Sequence, residues 1–233
     1  MNKNELEILK DEVKEIHEKI LMECKKNEKI KELYKGCQIF YSPFRKNADV
    51  MIIGINPGAG YSNTEGKIVE KFSPVETYKE SCAYDSEIKM CFRNAGKENI
   101  FETAFSTNMY FFATKGTGEW NMFLNNITTN LKYEIIEKSK TWLKTLIKII
   151  SPKMIVCAGT TVFANLETSY HNDMKTTQGK GAVLEGHFCD IPVVACRRLP
   201  GGNFERGKNN EIIEKFEALL QAYMKKQGII SEK

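Results

Sequence analysis

The stretch DVMIIGINPGAG, residues 49–60, decides the fold, because a continuous apolar run ends abruptly in turn residues. Its first half, residues 50–55, is rich in β-branched side chains and predicts a central strand that is covered on both faces. The Asn-Pro-Gly sequence at 56–58 is a strong turn signal. The pattern therefore predicts a buried strand with polar residues at its carboxyl end.

Other short apolar runs predict three further core strands of the same sheet. They cover residues 104–108, 154–158 and 191–196, and a short extra strand is expected over 182–189. The first of these runs carries polar residues in its middle, so its strand is predicted to end at Asn108. Strands that alternate with helices argue for a three-layer α/β/α sandwich with a central, mostly parallel four-stranded sheet.

Helical spacing of apolar residues predicts the helices that cover this sheet. The opening helix has one apolar stripe, which we expect to pack against the domain: Leu6, Leu9, Val13, Ile16 and Ile20. A coiled-coil seam would need three or more sustained heptads, and the pattern weakens after Cys24. Further helices are predicted over 134–150, over 160–166 with Thr160 or Thr161 as its cap, and over 211–226.

Length and composition favour one globular domain over residues 1–233. Of its 233 residues, 42% are apolar and 27% are charged, which is unlike a disordered chain. We expect a helical extension over about 1–36 and an insertion over about 64–99, where the pattern is weak. Seven cysteines without a C-x-x-C pair, and no apolar run long enough for a membrane span, favour a cytoplasmic protein without disulfides.

Three polar clusters follow predicted strands, at 56–63, at Asn108 and at 197–203, and in a doubly wound sheet they would converge on one cleft. Each alone is also ordinary turn chemistry. The glycines fit neither G-x-G-x-x-G nor a P-loop, so nucleotide phosphate binding of those kinds is excluded. No paired His or Cys ligands and no G-x-S-x-G occur, and we expect no metal and no serine nucleophile elbow.

Residues 51–58, which read MIIGINPG, resemble the first motif of the uracil-DNA glycosylase superfamily. The likeness is to its mismatch-specific and single-strand-selective branches, in which a G-x-N-P-G turn supplies the residue that positions water. Downstream, Ser106-Thr107-Asn108 is similar to the strand end whose Asn reads the uracil edge. Residues 151–159, SPKMIVCAG, are similar to the family's third-strand signature. The resemblance covers about residues 48–204.

This resemblance implies roles for individual residues of the first motif. Asn56 would position the attacking water and Asn108 would read the base. Gly54, Ile55, Pro57 and Gly58 would line the base site. In the family an aromatic side chain stacks on the base, for which Phe72 is our first candidate and Tyr61 the second. An amide orients water but is a poor general base, which suits an oxocarbenium-like path.

The second family motif is where the sequence departs from the pattern. The family places His or Asn before Pro-Ser, whereas this chain has a different DNA-binding loop: Arg197, Arg198, Leu199, Pro200, Gly201, Gly202 and Asn203. Leaving-group charge would then be met by backbone N–H groups of the two glycines or by the Arg or Asn side chains. The cysteine spacings do not reproduce the family's iron-sulfur arrangement, so no cofactor is expected.

The function expected from the sequence is hydrolysis of the N-glycosidic bond of uracil, or of another deaminated base, flipped out of DNA. Because flipping costs a few kcal/mol, single-stranded or mispaired substrates should react best. We expect a monomer. Two alternatives stay open: a non-catalytic nucleic-acid or nucleobase-binding protein of the same fold, and a protein that acts on a small nucleotide-like ligand. The net charge of only +4 is modest for a DNA-binding protein.

Overall fold

The computed structural model describes residues 3–58, 68–74, 83–178, 181–197 and 210–231. The helices in these ranges are α1 (Lys3–Cys24), α2 (Glu28–Leu33), α3 (Ala83–Asn94), α4 (Glu98–Glu102), α5 (Thr117–Asn126), α6 (Thr129–Ile150), α7 (Thr160–Ser169) and α8 (Asn210–Lys226). The strands are β1 (Tyr34–Gln38), β2 (Val50–Gly54), β3 (Val69–Lys71), β4 (Phe105–Asn108), β5 (Phe112–Thr114), β6 (Met154–Cys157), β7 (Met174–Gln178), β8 (Val183–Phe188) and β9 (Ile191–Cys196).

The chain divides into two compact units, and the boundary runs through β4. The first unit comprises Met1–Phe44, Ile55–Thr77 and Thr107–Ile149, and the second comprises Arg45–Gly54, Tyr78–Ser106 and Ile150–Lys233. The single domain over 1–233, its extension and its insertion stay predictions. Within the stretch 64–99, the helix α3 buries Ile88 and Phe92.

An α/β fold with a mixed six-stranded sheet is present, in the order β4-β2-β6-β9-β8-β7. The four predicted core strands are β4, β2, β6 and β9, and they lie side by side. β2 pairs in parallel with β6, and β6 in parallel with β9. The sheet is larger than the predicted four strands, because β8 turns back antiparallel on β9 and β7 pairs antiparallel with β8.

The β7 strand was missed because its sequence, MKTTQ, is almost wholly exposed and lacks an apolar face. Its close approach to β8 explains the glycine at position 186. A Cβ built on Gly186 would lie 2.6 Å from the backbone oxygen of Lys175, a contact too short for any side chain there. Gly186 therefore permits the pairing of these two strands.

The core of the second unit lies where α3, α4 and α8 cover β2, β6 and β9. It includes Val50 and Ile52 from β2, Phe92 from α3, and Phe216 and Leu220 from α8, all at most 1% exposed. The apolar run that predicts β2 is thus buried as expected. The α8 stripe forms as the sequence predicts, with one face of the helix in this core.

The first unit contains α1, whose predicted stripe is confirmed. All five residues of that stripe are at most 5% exposed. A second, three-stranded sheet of order β3-β1-β5 lies in this unit and was not predicted. Its strands β1, β3 and β5 have at most five residues each, too few for a clear alternation of apolar and polar positions.

Two helix-end predictions have different outcomes. The helix α6 ends at Ile150, which is the predicted end. Ser151, with a φ of 51°, and then Pro152 follow it. The predicted Thr cap of α7 is wrong, because Gly159 is the N-cap and no side chain caps the helix. Gly159 has a φ of 111°, a conformation that favours glycine over a residue with a Cβ. Of the helices in the described ranges, none is long and apolar enough to cross a membrane.

In the first unit, Glu12 of α1 is hydrogen-bonded to two residues of α6. The indole Nε1 of Trp142 donates to its carboxylate at 2.7 Å, and Lys138 donates to its other oxygen. Partial burial raises the pKa of Glu12, but the hydrogen bonds from Lys138 and Trp142 and the Lys138 charge outweigh it and hold that pKa below its usual value. The ionised carboxylate therefore joins the two helices.

We expect the variant Glu12→Gln to lower the free energy of unfolding by about 1 kcal/mol at about pH 7. A carboxyl whose pKa is depressed by folding stabilises the protein above its unfolded-state pKa, and this contribution is lost as the pH falls through the folded-state value. The difference should therefore shrink as the pH is lowered from about 7 into the acid range. Denaturant titrations over this pH range measure it, with Glu15→Gln as the matched surface control. Equal stability of Glu12→Gln and wild type at neutral pH would contradict the prediction.

Candidate functional site

Asn56 lies in the turn after β2, and both hydrogens of its amide are used within the first unit. Nδ2 donates to the backbone oxygen of Pro57 at 3.1 Å and to Oγ1 of Thr114 at 2.9 Å. Thr114 is fully buried at the end of β5, and its hydroxyl donates to the backbone oxygen of Gly116 at 2.8 Å. The partly buried Asn56 is thus held by a short chain of hydrogen bonds.

This chain of hydrogen bonds determines the positions of the nitrogen and the oxygen of the Asn56 amide. The Pro57 carbonyl can only accept, and the Thr114 hydroxyl gives its one proton to Gly116, so both require a donor from Asn56. The NH₂ group therefore faces them. The amide oxygen Oδ1 accepts no hydrogen bond from any of the residues described, and it is open to a donor such as water.

Backbone hydrogen bonds join this turn to the segment that follows β4. The N–H of Tyr110 donates to the backbone oxygen of Ile55 at 2.9 Å, and the N–H of Thr114 donates to that of Pro57 at 3.2 Å. Two of the three polar clusters that the sequence places at strand ends therefore lie together, the one at Asn56 and the one at Asn108. Open α/β sheets form ligand sites at such strand ends.

Asn108, the last residue of β4, carries an amide without a hydrogen-bond partner among the described residues. The residue is only 8% exposed, and its side chain makes no hydrogen bond to any residue in the described part of the chain. Its neighbour Thr107 is satisfied, since its hydroxyl donates to the backbone oxygen of Ile39 at 2.7 Å. The amide therefore has one acceptor and two donors that no described residue uses.

Two aromatic side chains that follow Asn108 along the chain pack against each other. The ring of Tyr110 lies 4.7 Å from that of Trp120, centroid to centroid, at a tilt of 34°. Burial raises the pKa of Tyr110, so its hydroxyl keeps its proton at neutral pH. They lie two and twelve residues after Asn108, and the sequence carries no signal of their contact.

Phe72, the first candidate for the stacking aromatic, contacts a different cluster. Its ring lies 6.2 Å from that of His17, edge to face. His17 is 2% exposed, with Nδ1 2.5 Å from the Tyr34 hydroxyl and Nε2 2.9 Å from the Glu70 carboxylate. Both ring nitrogens of this buried histidine are thus within hydrogen-bond distance of a partner. The second candidate, Tyr61, lies outside the described residues.

The predicted base-site residues flank Asn56 along the chain. Gly54 ends β2 and Ile55 follows it, both partly buried, and Pro57 is buried. Gly58 is partly buried, and a Cβ built on it would meet only the backbone oxygen of Asn56, at 4.0 Å. Among the described residues, a side chain at position 58 would therefore begin with one ordinary van der Waals contact.

The structure describes one residue of the predicted DNA-binding loop. Arg197 is exposed after β9 in the second unit, and its N–H donates to the backbone oxygen of Ala182 at 2.6 Å. The other six lie outside the described residues: Arg198, Leu199, Pro200, Gly201, Gly202 and Asn203. Arg197 thus continues the strand pairing, with its side chain at the surface.

Two of the described thiols are buried and weakly acidic. Burial raises the pKa of Cys37 to about 12 and that of Cys24 to about 11, so both thiols are neutral at physiological pH and poor nucleophiles. Across the described ranges, no three His, Cys, Asp or Glu residues are grouped closely enough to hold a metal ion. The polar groups that are open at this site are the amides of Asn56 and Asn108.

No profile of a known protein family matches the chain, and no curated protein matches it in sequence. The likeness of the 51–58 motif to uracil-DNA glycosylases therefore stays a hypothesis. What the site can do is inferred from its two amides and their surroundings.

Proposed function

We propose that the protein hydrolyses the N-glycosidic bond of uracil, or of another deaminated base, flipped out of DNA. The observation that carries this proposal is the Asn56 amide, anchored through its nitrogen with its oxygen open, in a turn bonded to the segment after Asn108. A water-positioning group and a base-reading group on adjoining strand ends are what such a reaction requires. The resemblance of the 51–58 motif to uracil-DNA glycosylases supports the same conclusion.

Asn56 would position the attacking water. Its open Oδ1 accepts a hydrogen bond from that water and leaves an oxygen lone pair free to attack the anomeric carbon. An amide does not remove a proton efficiently, so the sugar must already carry positive charge as the base departs. Uracil suits this path because the departing ring can hold negative charge.

Asn108 would read the base. Its amide can donate to a uracil carbonyl and accept from the ring N–H beside it. Cytosine presents an amino donor and an unprotonated ring nitrogen at the same edge, so it would pair only with the amide turned over. The residue is only 8% exposed and its amide has no partner among the described residues, so a base could pair with it without breaking a hydrogen bond of the fold.

The remaining parts of the proposal concern fold and setting. The α/β sheet would be that of the uracil-DNA glycosylase superfamily, with β8 and β7 added beside the four core strands. The 197–203 loop would contact the phosphate backbone and fill the vacated stack. The protein would act in the cytoplasm as a monomer on single-stranded or mispaired DNA.

A direct test uses end-labelled oligonucleotides that carry one uracil, single-stranded, paired with adenine or mispaired with guanine. The protein is purified from a host without its own uracil-DNA glycosylase, and alkali then breaks any abasic site. Cleavage at uracil, fastest in the single-stranded and mispaired substrates, is the expected result. The matched oligonucleotides with thymine should stay intact. No abasic product in any uracil context would overturn the proposal.

Nucleobase binding without turnover is the second candidate, and it is favoured by the absence of the family's side-chain donor in the second motif. Binding of uracil-containing DNA without abasic product would select it. Salt separates a DNA ligand from a small one. A protein that contacts phosphates loses affinity steeply between about 50 and 200 mM salt, whereas binding of free uracil should change little.

A further inference from the structure

We propose that Thr114 is a positioning residue, which holds the Asn56 amide with its oxygen open to a bound water. The inference rests on the proposed function, in which that oxygen accepts a hydrogen bond from the attacking water. Thr114 makes no contact with a substrate in this scheme. It acts only through Asn56, from the end of a strand 58 residues further along the chain.

Burial limits what the Thr114 hydroxyl can do. The residue has no exposed surface, so its single proton goes to the backbone oxygen of Gly116 at 2.8 Å. A lone pair then faces Asn56, and only the nitrogen end of the amide can meet it, at 2.9 Å. If the amide turned over, its oxygen would lie against the Thr114 oxygen with no hydrogen between them.

Backbone contacts hold Thr114 itself in place. Its N–H donates to the same Pro57 oxygen that accepts from Asn56. Gly116 is the N-cap of α5, and its oxygen also accepts the N–H of Trp120, the first backbone bond of that helix. The orientation of Asn56 is thereby linked to the end of β5 and the start of α5, two rigid elements of the first unit.

The variant Thr114→Val keeps the shape of the side chain and removes the hydroxyl. Gly116 keeps its hydrogen bond from Trp120, so no buried backbone group becomes unpaired. Pro57 still accepts from Asn56, so the amide loses one of two anchors. We therefore expect a partial effect, a fall of about tenfold in kcat, which corresponds to one hydrogen bond. KM should stay the same, because Thr114 does not touch the base.

Thr114→Ser is the matched control. It restores the hydroxyl without the methyl group, and kcat should return to near the wild-type value. A merely structural role would lower thermal stability in proportion to activity and would not separate kcat from KM. Thermal melts of both variants are measured alongside the kinetics for this reason.

A second measurement tests the orientation without any need for activity. The side-chain NH₂ of Asn56 is identified in a ¹H–¹⁵N spectrum by its loss in Asn56→Ala. In the wild type and in Thr114→Ser its hydrogens should exchange slowly with water, and in Thr114→Val at least one should exchange about tenfold faster. The spectrum is recorded on the full chain.

The outcomes separate the two proposals. Loss of kcat with unchanged KM in Thr114→Val, rescue by Thr114→Ser and faster exchange of the Asn56 amide support the role of Thr114. Full activity of Thr114→Val, with an unchanged Asn56 signal, overturns it while leaving the glycosylase proposal intact. If the wild type cleaves no uracil substrate, the proposed function fails, and the exchange of the Asn56 amide alone decides whether Thr114 orients it.

Discussion

The variant Asn56→Ala should lose uracil excision by about a hundredfold in kcat, the loss expected when a group that positions a reactant is removed. In the proposed mechanism, the open Oδ1 is the acceptor that places that water. Alanine removes it and provides no substitute. Base recognition should persist, because Asn108 is untouched, so affinity for uracil-containing DNA should change little. Single-turnover cleavage and a binding titration with the same oligonucleotide measure both quantities.

The substitution should leave the fold intact, which makes the test informative. Without Asn56, the Thr114 hydroxyl still donates to Gly116 and the Pro57 oxygen still accepts the Thr114 N–H. Asn126→Ala is the matched control. Its amide donates to the backbone oxygen of Met122 on an exposed helix, away from the site residues along the chain. If Asn56→Ala cleaves as fast as wild type, water is positioned by another group and this role for Asn56 is wrong.

The sheet was predictable to the extent that its strands are buried on both faces. β2, β6 and β9 are continuous apolar runs, and such runs stand out in a sequence. β7 is an edge strand with four of its five residues exposed, so pairing with β8 decides its structure and its own sequence gives no signal. Apolar patterning reports burial, and elements that bury little are missed for that reason.

The sequence could identify candidate residues of the site, but it could not predict the contacts between them. A turn signal after a buried strand locates Asn56, and a polar residue at the end of the next apolar run locates Asn108. Thr114 carries no such signal, because a buried Thr in an apolar strand is ordinary. Its role arises from a pairing across 58 residues of chain, which only the folded structure contains.

Replacement of Asn108 by leucine should produce an unusual combination, a loss of base recognition without a loss of stability. The amide has no hydrogen-bond partner in the described part of the chain, so its removal breaks no hydrogen bond of the fold. The free energy of unfolding should therefore change by less than about 1 kcal/mol. The loss of two hydrogen bonds to the base should weaken binding about a hundredfold.

Urea titrations measure the stability, and binding of uracil-containing DNA measures recognition. Asn108→Ala serves as a second variant in case leucine packs poorly, and it should show the same loss of binding. Thr107→Val is the matched control on the same strand, because it removes a hydroxyl that is paired with Ile39. It should lower stability by about 1 kcal/mol and leave binding unchanged.

The two variants therefore move in opposite directions, and this opposition is what distinguishes a ligand-reading amide from a structural one. A structural amide at position 108 would behave like Thr107, with a drop in stability on substitution by leucine or alanine and no specific loss of uracil. Such a result would show that the Asn108 amide is paired within the protein in solution. Both the base-reading role and the discrimination of uracil from cytosine would then have to be assigned to other residues.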